Sequence, residues 1–338
     1  WAVGGAEVGV ERVIAGVTEV VCATMIEACR PGGVLQVAQS EDVVVRMFAI
    51  SVPECLDSRA RCIVREACAS VVSRSFGDTT SIELVNEPLC LSLQASVLPP
   101  QQPKCFLTVD LGASKLCVSL YELVSVGEGE FRLVERETRT DTKCSMSEIE
   151  WRMIQWCEKR KPFQNSMVAS KQALFKLRKE VRNAVKTLTI AEEATIESDG
   201  IVGGHDLQVV LTLEDFDHEC YDIFESLTTL VKRVIDAVPP SEGSPPISDC
   251  IVVGGAMRVR AAQRLLSGML EPLGVRVRKT LDMDRAVSMG AAMYGALRAN
   301  CATSLPLENQ TPYLELPARD ALPVSAPEEA LEQEGDEK

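Results

Sequence analysis

Aromatic residues are scarce in this chain, with three Trp, four Tyr and eight Phe among 338 residues. The core must therefore be built from Val, Leu, Ile, Ala and Met rather than from stacked rings. Histidine is scarcer still: His205 and His218 are the only two, and of the thirteen cysteines only Cys220 lies near them. No C-x-x-C pair occurs, so the ligand spacing of a structural zinc site is missing. No uncharged apolar run approaches the roughly 20 residues needed to span a bilayer, and no secretory leader is evident. An odd number of cysteines, many inside apolar runs such as 49–55 and 105–119, fits small buried hydrophobes in a reducing compartment. The expectation is a cytoplasmic chain with no membrane part. Basic charge is also short, since 35 Lys and Arg face 49 Asp and Glu for a net charge of −14. Such a field repels phosphate backbones and excludes broad, direct nucleic-acid binding.

What is present suffices for a folded protein. Hydrophobic residues make up 46% and charged residues 25%, enough apolar surface to offset the entropy cost of ordering the chain. The length suggests two globular units. Apolar positions Val13, Ile14, Val17, Val20, Val21 and Met25 recur at helical spacing. A buried strand over 43–52 and a helix from Asp57 or Ser58 to about Val72 follow, then a short strand over 81–85. Three strand-like segments, 106–111, 116–123 and 131–138, predict an antiparallel meander. Beyond it come helices over 147–161 and 167–188, a hairpin around Gly203-Gly204, and one long helix over 213–237. A strand over 251–253, a helix over 258–270, a strand over 275–277 and a helix over 284–299 complete the pattern. The last helix carries a small-residue face of Gly290, Ala291 and Gly295. Strands and helices alternate, which predicts an α/β fold.

Two glycine turns interrupt buried strands. In Thr108-Val-Asp-Leu-Gly-Ala-Ser-Lys-Leu-Cys-Val-Ser119 a strand ends at Asp110, turns at Gly112 and re-enters a strand at Leu116. Backbone N–H groups converging in such a hairpin can hold a phosphate, and Asp110 could order a magnesium-bound water. An ordinary hairpin with a turn-forming Asp is the alternative, and these residues taken alone favour it. In Ile251-Val-Val-Gly-Gly-Ala-Met-Arg258 a strand enters a helix through two glycines, a favourable location for an anion or nucleotide. A plain turn requiring positive φ is the alternative.

Taken in chain order, Ile50-Ser-Val-Pro53, Val85-Asn-Glu-Pro88, Val109-Asp-Leu-Gly112, the helix over 177–189, Val252-Val-Gly-Gly255 with Arg258, and the run from Asp284 to Ala296 resemble the ATPase domain of the DnaK-type heat-shock protein 70 family. The resemblance implies an actin-like ATPase (ribonuclease-H-like) α/β fold and ATP or ADP with magnesium as cofactor. It also assigns roles. Glu87 and Asp110 would hold magnesium-bound waters, with no residue ligating the metal directly. Gly112 would approach the phosphates, Lys186 and Thr189 would lie by the adenine, and Gly254 and Gly255 would contact phosphate and ribose. Arg258 would stack on the base, with Asp284 on the adenine side of the pocket.

Departures from the family pattern cluster at the phosphates. The first turn reads Gly112-Ala-Ser-Lys115, and Cys117 stands in place of a second aspartate, which cysteine cannot replace towards hard magnesium. Lys115, in place of a threonine, is either a compensating charge or a surface lysine. Arg182 and Val185 occupy positions where an acidic and a basic nucleotide contact are expected. Ser145 and Met146 replace paired glycines, and Ala256 stands where a hydroxyl is usual. The family's first phosphate hairpin and catalytic lysine have no counterpart before Val10, and the first residue is Trp1, so the first half of the fold is expected to be incomplete.

The expected organisation is a remnant of the first lobe over 1–104, the second lobe of the nucleotide-binding domain over 105–300, and a relic of the substrate domain with an acidic tail over 301–338. Within the family the segment from Tyr313 to Leu322 looks most like the atypical branch found in the ribosome-associated complex. The function implied is a degenerate nucleotide-binding module that aids protein folding as co-chaperone or scaffold, with weak or no ATP hydrolysis. Its partner would be a J-domain co-chaperone or that ribosome-associated complex. A fragment of an active ATP-dependent chaperone and an actin-like structural or kinase relative are the alternatives.

Overall fold

A computed structural model describes residues 2–3, 6–7, 10–28, 45–96, 104–127, 130–160, 171–202, 205–239, 245–300 and 313–316. Two-residue strands Ala2–Val3 (β1) and Ala6–Glu7 (β2) precede helix Val10–Ala28 (α1). Met47–Val52 (β3), Ser58–Phe76 (α2) and Ser81–Asn86 (β4) form a β-α-β unit whose strands pair in parallel. Asp57 caps α2 by accepting from the Ala60 amide at 2.7 Å, and Gly77 ends it with φ +89°, each residue suited to its end of a helix. The apolar stripe on α1 is only partly used. Its Cys22 is buried with Val71 and Val72 of α2, while Val17 and Val20 stay in solvent.

Helix Glu87–Ser96 (α3) leaves β4 directly and leads to the meander Lys104–Leu111 (β5), Leu116–Gly127 (β6) and Glu130–Asp141 (β7). Next come Met146–Glu158 (α4), Lys171–Thr187 (α5), the hairpin Glu193–Val202 (β8) and His205–Thr212 (β9), Leu213–Glu219 (α6) and Tyr221–Ala237 (α7). Ile247–Val253 (β10), a short 3₁₀ turn Gly255–Arg258, Arg260–Leu270 (α8), Arg276–Arg278 (β11), Ala286–Asn300 (α9) and Tyr313–Leu316 (β12) complete the order.

Six strands make the main sheet in the order β11-β10-β5-β6-β7-β12. The first three run parallel and the rest antiparallel. β5 and β10 are buried on both faces, and for that reason both read as nearly unbroken apolar runs. Along β5 the odd positions Cys105, Leu107, Val109 and Leu111 enter the large core with α4, α5, α7 and α8. Phe106, on the opposite face, packs with Leu93 and Ala95 of α3 and Leu297 of α9. The period-two alternation therefore places Asp110 on the α3 side of the sheet.

Two expectations change. The long helix breaks at Cys220, whose backbone (φ −105°, ψ 7°) leaves the helical region. Arg152 donates to the Glu219 carbonyl at 2.7 Å, while the Ile223 amide bonds to Cys220 instead, so the carbonyl that would continue the ladder is already engaged. The helix expected from Arg258 begins with a 3₁₀ turn before α8. Tyr313–Leu316, expected as a strand, is one; it pairs antiparallel with β7 and extends the main sheet. Residues 43–44, 161–170 and 203–204, which the expected elements include, lie outside the described residues.

Candidate functional site

Asp110, the last residue but one of β5, lies opposite Cys117 of β6, and Glu87 opens α3 on the same side of the sheet. Between them lies Lys115, whose side chain is only 9% exposed. Its Nζ donates to Glu54 Oε2 at 2.6 Å and lies 3.0 Å from Glu87 Oε2. The surface-lysine alternative is thereby overturned: the side chain is drawn inward because two carboxylates wait for it. Glu54 also accepts from the Thr140 hydroxyl. Its loop is held by Arg61 of α2, which donates to the carbonyls of Pro53, Glu54 and Leu56 and, at 2.7 Å, to Asn86 Oδ1.

These contacts set the protonation of the cluster. Burial pushes the Asp110 carboxyl up, the neighbouring Glu87 charge adds to it, Lys115 opposes both, and the result is about 6. For Glu54 burial again pushes upward, but hydrogen bonds from Lys115 and Thr140 outweigh it and hold the carboxyl below its ordinary range. Burial works against the Lys115 ammonium, yet the Glu54 hydrogen bond and the surrounding negative charge hold its titration well above the usual value. Cys117 is pushed far up by burial and by Glu54, so it is a neutral thiol.

The second turn meets the first because β10 pairs in parallel with β5, Val253 opposite Asp110. Gly254 has φ +89°, and a Cβ there would stand 2.6 Å from Asp110 Oδ1 and run into the Leu111 carbonyl. Only glycine permits that approach. Gly255 is less constrained, because a Cβ there would touch only the end of the Arg258 side chain. Gly112 bonds to Lys115 and to Met146 through its backbone, and a Cβ would fit it at ordinary contact distance. The amides of Met146 and Ser147 at the start of α4 donate to the Gly112 and Ala113 carbonyls, so they are engaged by the turn itself.

On the outer side Arg258 forms an ion pair with Asp284 at 2.9 Å. Lys186 and Thr189 sit at the end of α5, where the Thr189 hydroxyl donates to the Lys186 carbonyl at 2.7 Å. Arg260 ties this corner to α8, donating to the Leu188 and Ala191 carbonyls and to Glu192. Arg182 turns away to Glu150, a buried carboxylate that it shares with Arg178.

A family model described as Hsp70 protein matches residues 44–314. The chain belongs to the Hsp70 family. Heat shock 70 kDa protein 2 of Paracoccidioides lutzii is 26% identical over 66% of this chain and 33% of its own length. A ribosome-associated molecular chaperone of Zygosaccharomyces rouxii is 26% identical over 77% of this chain and 41% of its own. The chaperone protein dnaK of Thalassiosira pseudonana is 28% identical over 72% and 40%. The chain thus spans between 33% and 41% of these relatives' lengths. The sheet order and the parallel β5–β10 pair accord with the actin-like ATPase fold of the family.

The residues around Asp110 do not fit a hydrated magnesium ion. Glu87 is taken by Lys115, Cys117 is a buried neutral thiol, and a compact positive charge already sits among the carboxylates. No group of three or more His, Cys, Asp or Glu among the described residues has the geometry to hold a metal. No helix among them is long and apolar enough to cross a membrane. Glu54, Thr140, Arg61 and Arg260 escaped the sequence reading. Glu54 follows Ile50-Ser-Val-Pro53 and could have been flagged by its place after that motif; the others carry no local signal.

Proposed function

We propose that this chain is a degenerate Hsp70-type nucleotide-binding module: it binds ATP or ADP weakly, chiefly through Gly254, Gly255 and Arg258, and hydrolyses ATP negligibly. The observation carrying this reading is the Lys115 ammonium held by Glu54 and Glu87 beside the Cys117 thiol. Phosphoryl transfer relies on several groups positioning and neutralising the phosphates at once. At this turn a carboxylate is replaced by a thiol and a second is neutralised by a lysine. Asp110 and Gly254 still lie side by side, a Cβ at Gly254 standing 2.6 Å from Asp110 Oδ1, which supports retention of a binding role after loss of chemistry. Without a hydrolytic cycle the module would act as co-chaperone or scaffold in protein folding. A J-domain co-chaperone is the partner proposed, and the relative described as ribosome-associated supports a place in such a complex. The lobe division at 104/105 belongs to the same proposal.

Phosphate release from ATP is expected to match the buffer blank for the native chain and to be unchanged by Asp110→Ala. Turnover at the level of an ordinary chaperone that disappears in Asp110→Ala would overturn the reading. Gly255→Val tests the second turn, because the fold tolerates a side chain there. The variant is expected to melt like the native chain but to lose the rise in Tm that saturating ATP produces by mass action. An ATP-dependent rise that survives the substitution would place the pocket elsewhere.

A further inference from the structure

A magnesium ion brings to a phosphate site a compact, strongly hydrated divalent charge that requires oxygen ligands. Around Asp110 a positive charge is already part of the chain. Lys115 Nζ is 2.6 Å from Glu54 and 3.0 Å from Glu87, and its side chain is almost wholly buried. A free cation would have to displace an ammonium whose tether keeps its local concentration high. It would gain little by doing so, since the sulfur of Cys117 is a poor ligand for a hard ion. The ammonium has three N–H donors. One is donated to Glu54, and Glu87 pairs with the same head group, which leaves N–H capacity for an oxygen of an incoming anion.

We infer that Lys115 is a built-in replacement for the magnesium ion, so that this chain takes its nucleotide as the metal-free anion. The inference rests on the nucleotide-binding reading above and specifies the form of its ligand. A single ammonium carries half the charge of the ion and is already balanced by Glu54 and Glu87. It therefore neutralises a phosphate chain less well, in keeping with weak binding.

Two measurements on the whole chain test this. In the first, ADP is titrated calorimetrically in EDTA and in excess Mg²⁺. The affinity of the native chain is expected to agree within about twofold between the buffers, and a gain of about tenfold in Mg²⁺ overturns the inference. In the second, Mn²⁺ alone is titrated while the free-ion EPR signal is followed. The native chain is expected to take up none at this cluster. Lys115→Thr, which leaves Glu54, Glu87 and Asp110 without their cation, is expected to gain one saturable Mn²⁺ site; Lys115→Met, closer in length, is the second variant. Saturable uptake by the native chain that Asp110→Asn removes overturns the replacement of the ion. Absence of ADP binding in both buffers overturns the nucleotide reading instead, and the Mn²⁺ titration of the native chain still decides the role of Lys115.

Discussion

Gly290→Ala is expected to destabilise the chain by about 3 kcal/mol or more, as a backbone clash at a tightly packed crossing does. A Cβ at Gly290 of α9 would stand 2.7 Å from the Cys90 Cα of α3 and would overlap the Cys90 carbonyl. The obstacle is backbone, so no rotamer change relieves it, and the two helices must separate. That separation would disturb the cluster of Val85, Cys90 and Ala291 and the placement of α3, whose first residue is Glu87. An alanine in place of glycine in an unobstructed helix has the opposite sign, stabilising by roughly 0.5–1 kcal/mol. Gly268 in α8 is such a position, with nothing within 4 Å of its Cβ direction. Urea denaturation of the two variants should therefore move in opposite directions. Equal shifts would mean that α3 and α9 do not cross at Gly290.

Asp110→Asn is expected to raise stability at neutral pH by on the order of 2 kcal/mol. The folded chain holds the Asp110 carboxyl at about 6, against an ordinary 3.8, so it binds this proton more tightly than the unfolded chain does. The contribution of the protonated form is complete below the ordinary value and is lost as the pH rises through about 6. The amide carries no charge and escapes that loss. The gain should thus be largest above about pH 7 and fade towards about pH 4. Glu54 behaves oppositely. Its lowered carboxyl stabilises the fold above its ordinary range, and that contribution disappears as acid protonates it. Melting temperatures of the native chain and Asp110→Asn, measured from about pH 4 to about pH 8, separate the two groups. Parallel curves would show that the Asp110 charge is fully compensated in the native fold.

Local residues made much of this molecule legible. The meander, the β-α-β unit around α2 and the strand before Gly254 follow from β-branched runs, caps and glycines close in sequence. The break at Cys220 did not, because it depends on Arg152 reaching the Glu219 carbonyl from another helix. The exposed stripe of α1 shows the same limit. Periodicity marks a face that could be buried, but whether a partner covers it lies elsewhere in the chain.

The site divides along the same line. From the sequence alone came the two turns, the likeness to the Hsp70 family, and the exchange of a carboxylate for Cys117, since these are properties of contiguous residues. The tertiary structure alone decided that Asp110 and Gly254 lie side by side, through the parallel pairing of β5 with β10. It likewise decided that Lys115 is a buried cation between Glu54 and Glu87 rather than a surface lysine. A lysine's charge is written in its side chain, but its partners come from a loop and a helix brought together by the fold. Burial and pairing, which set what that charge can do, depend on those distant groups and on no local pattern.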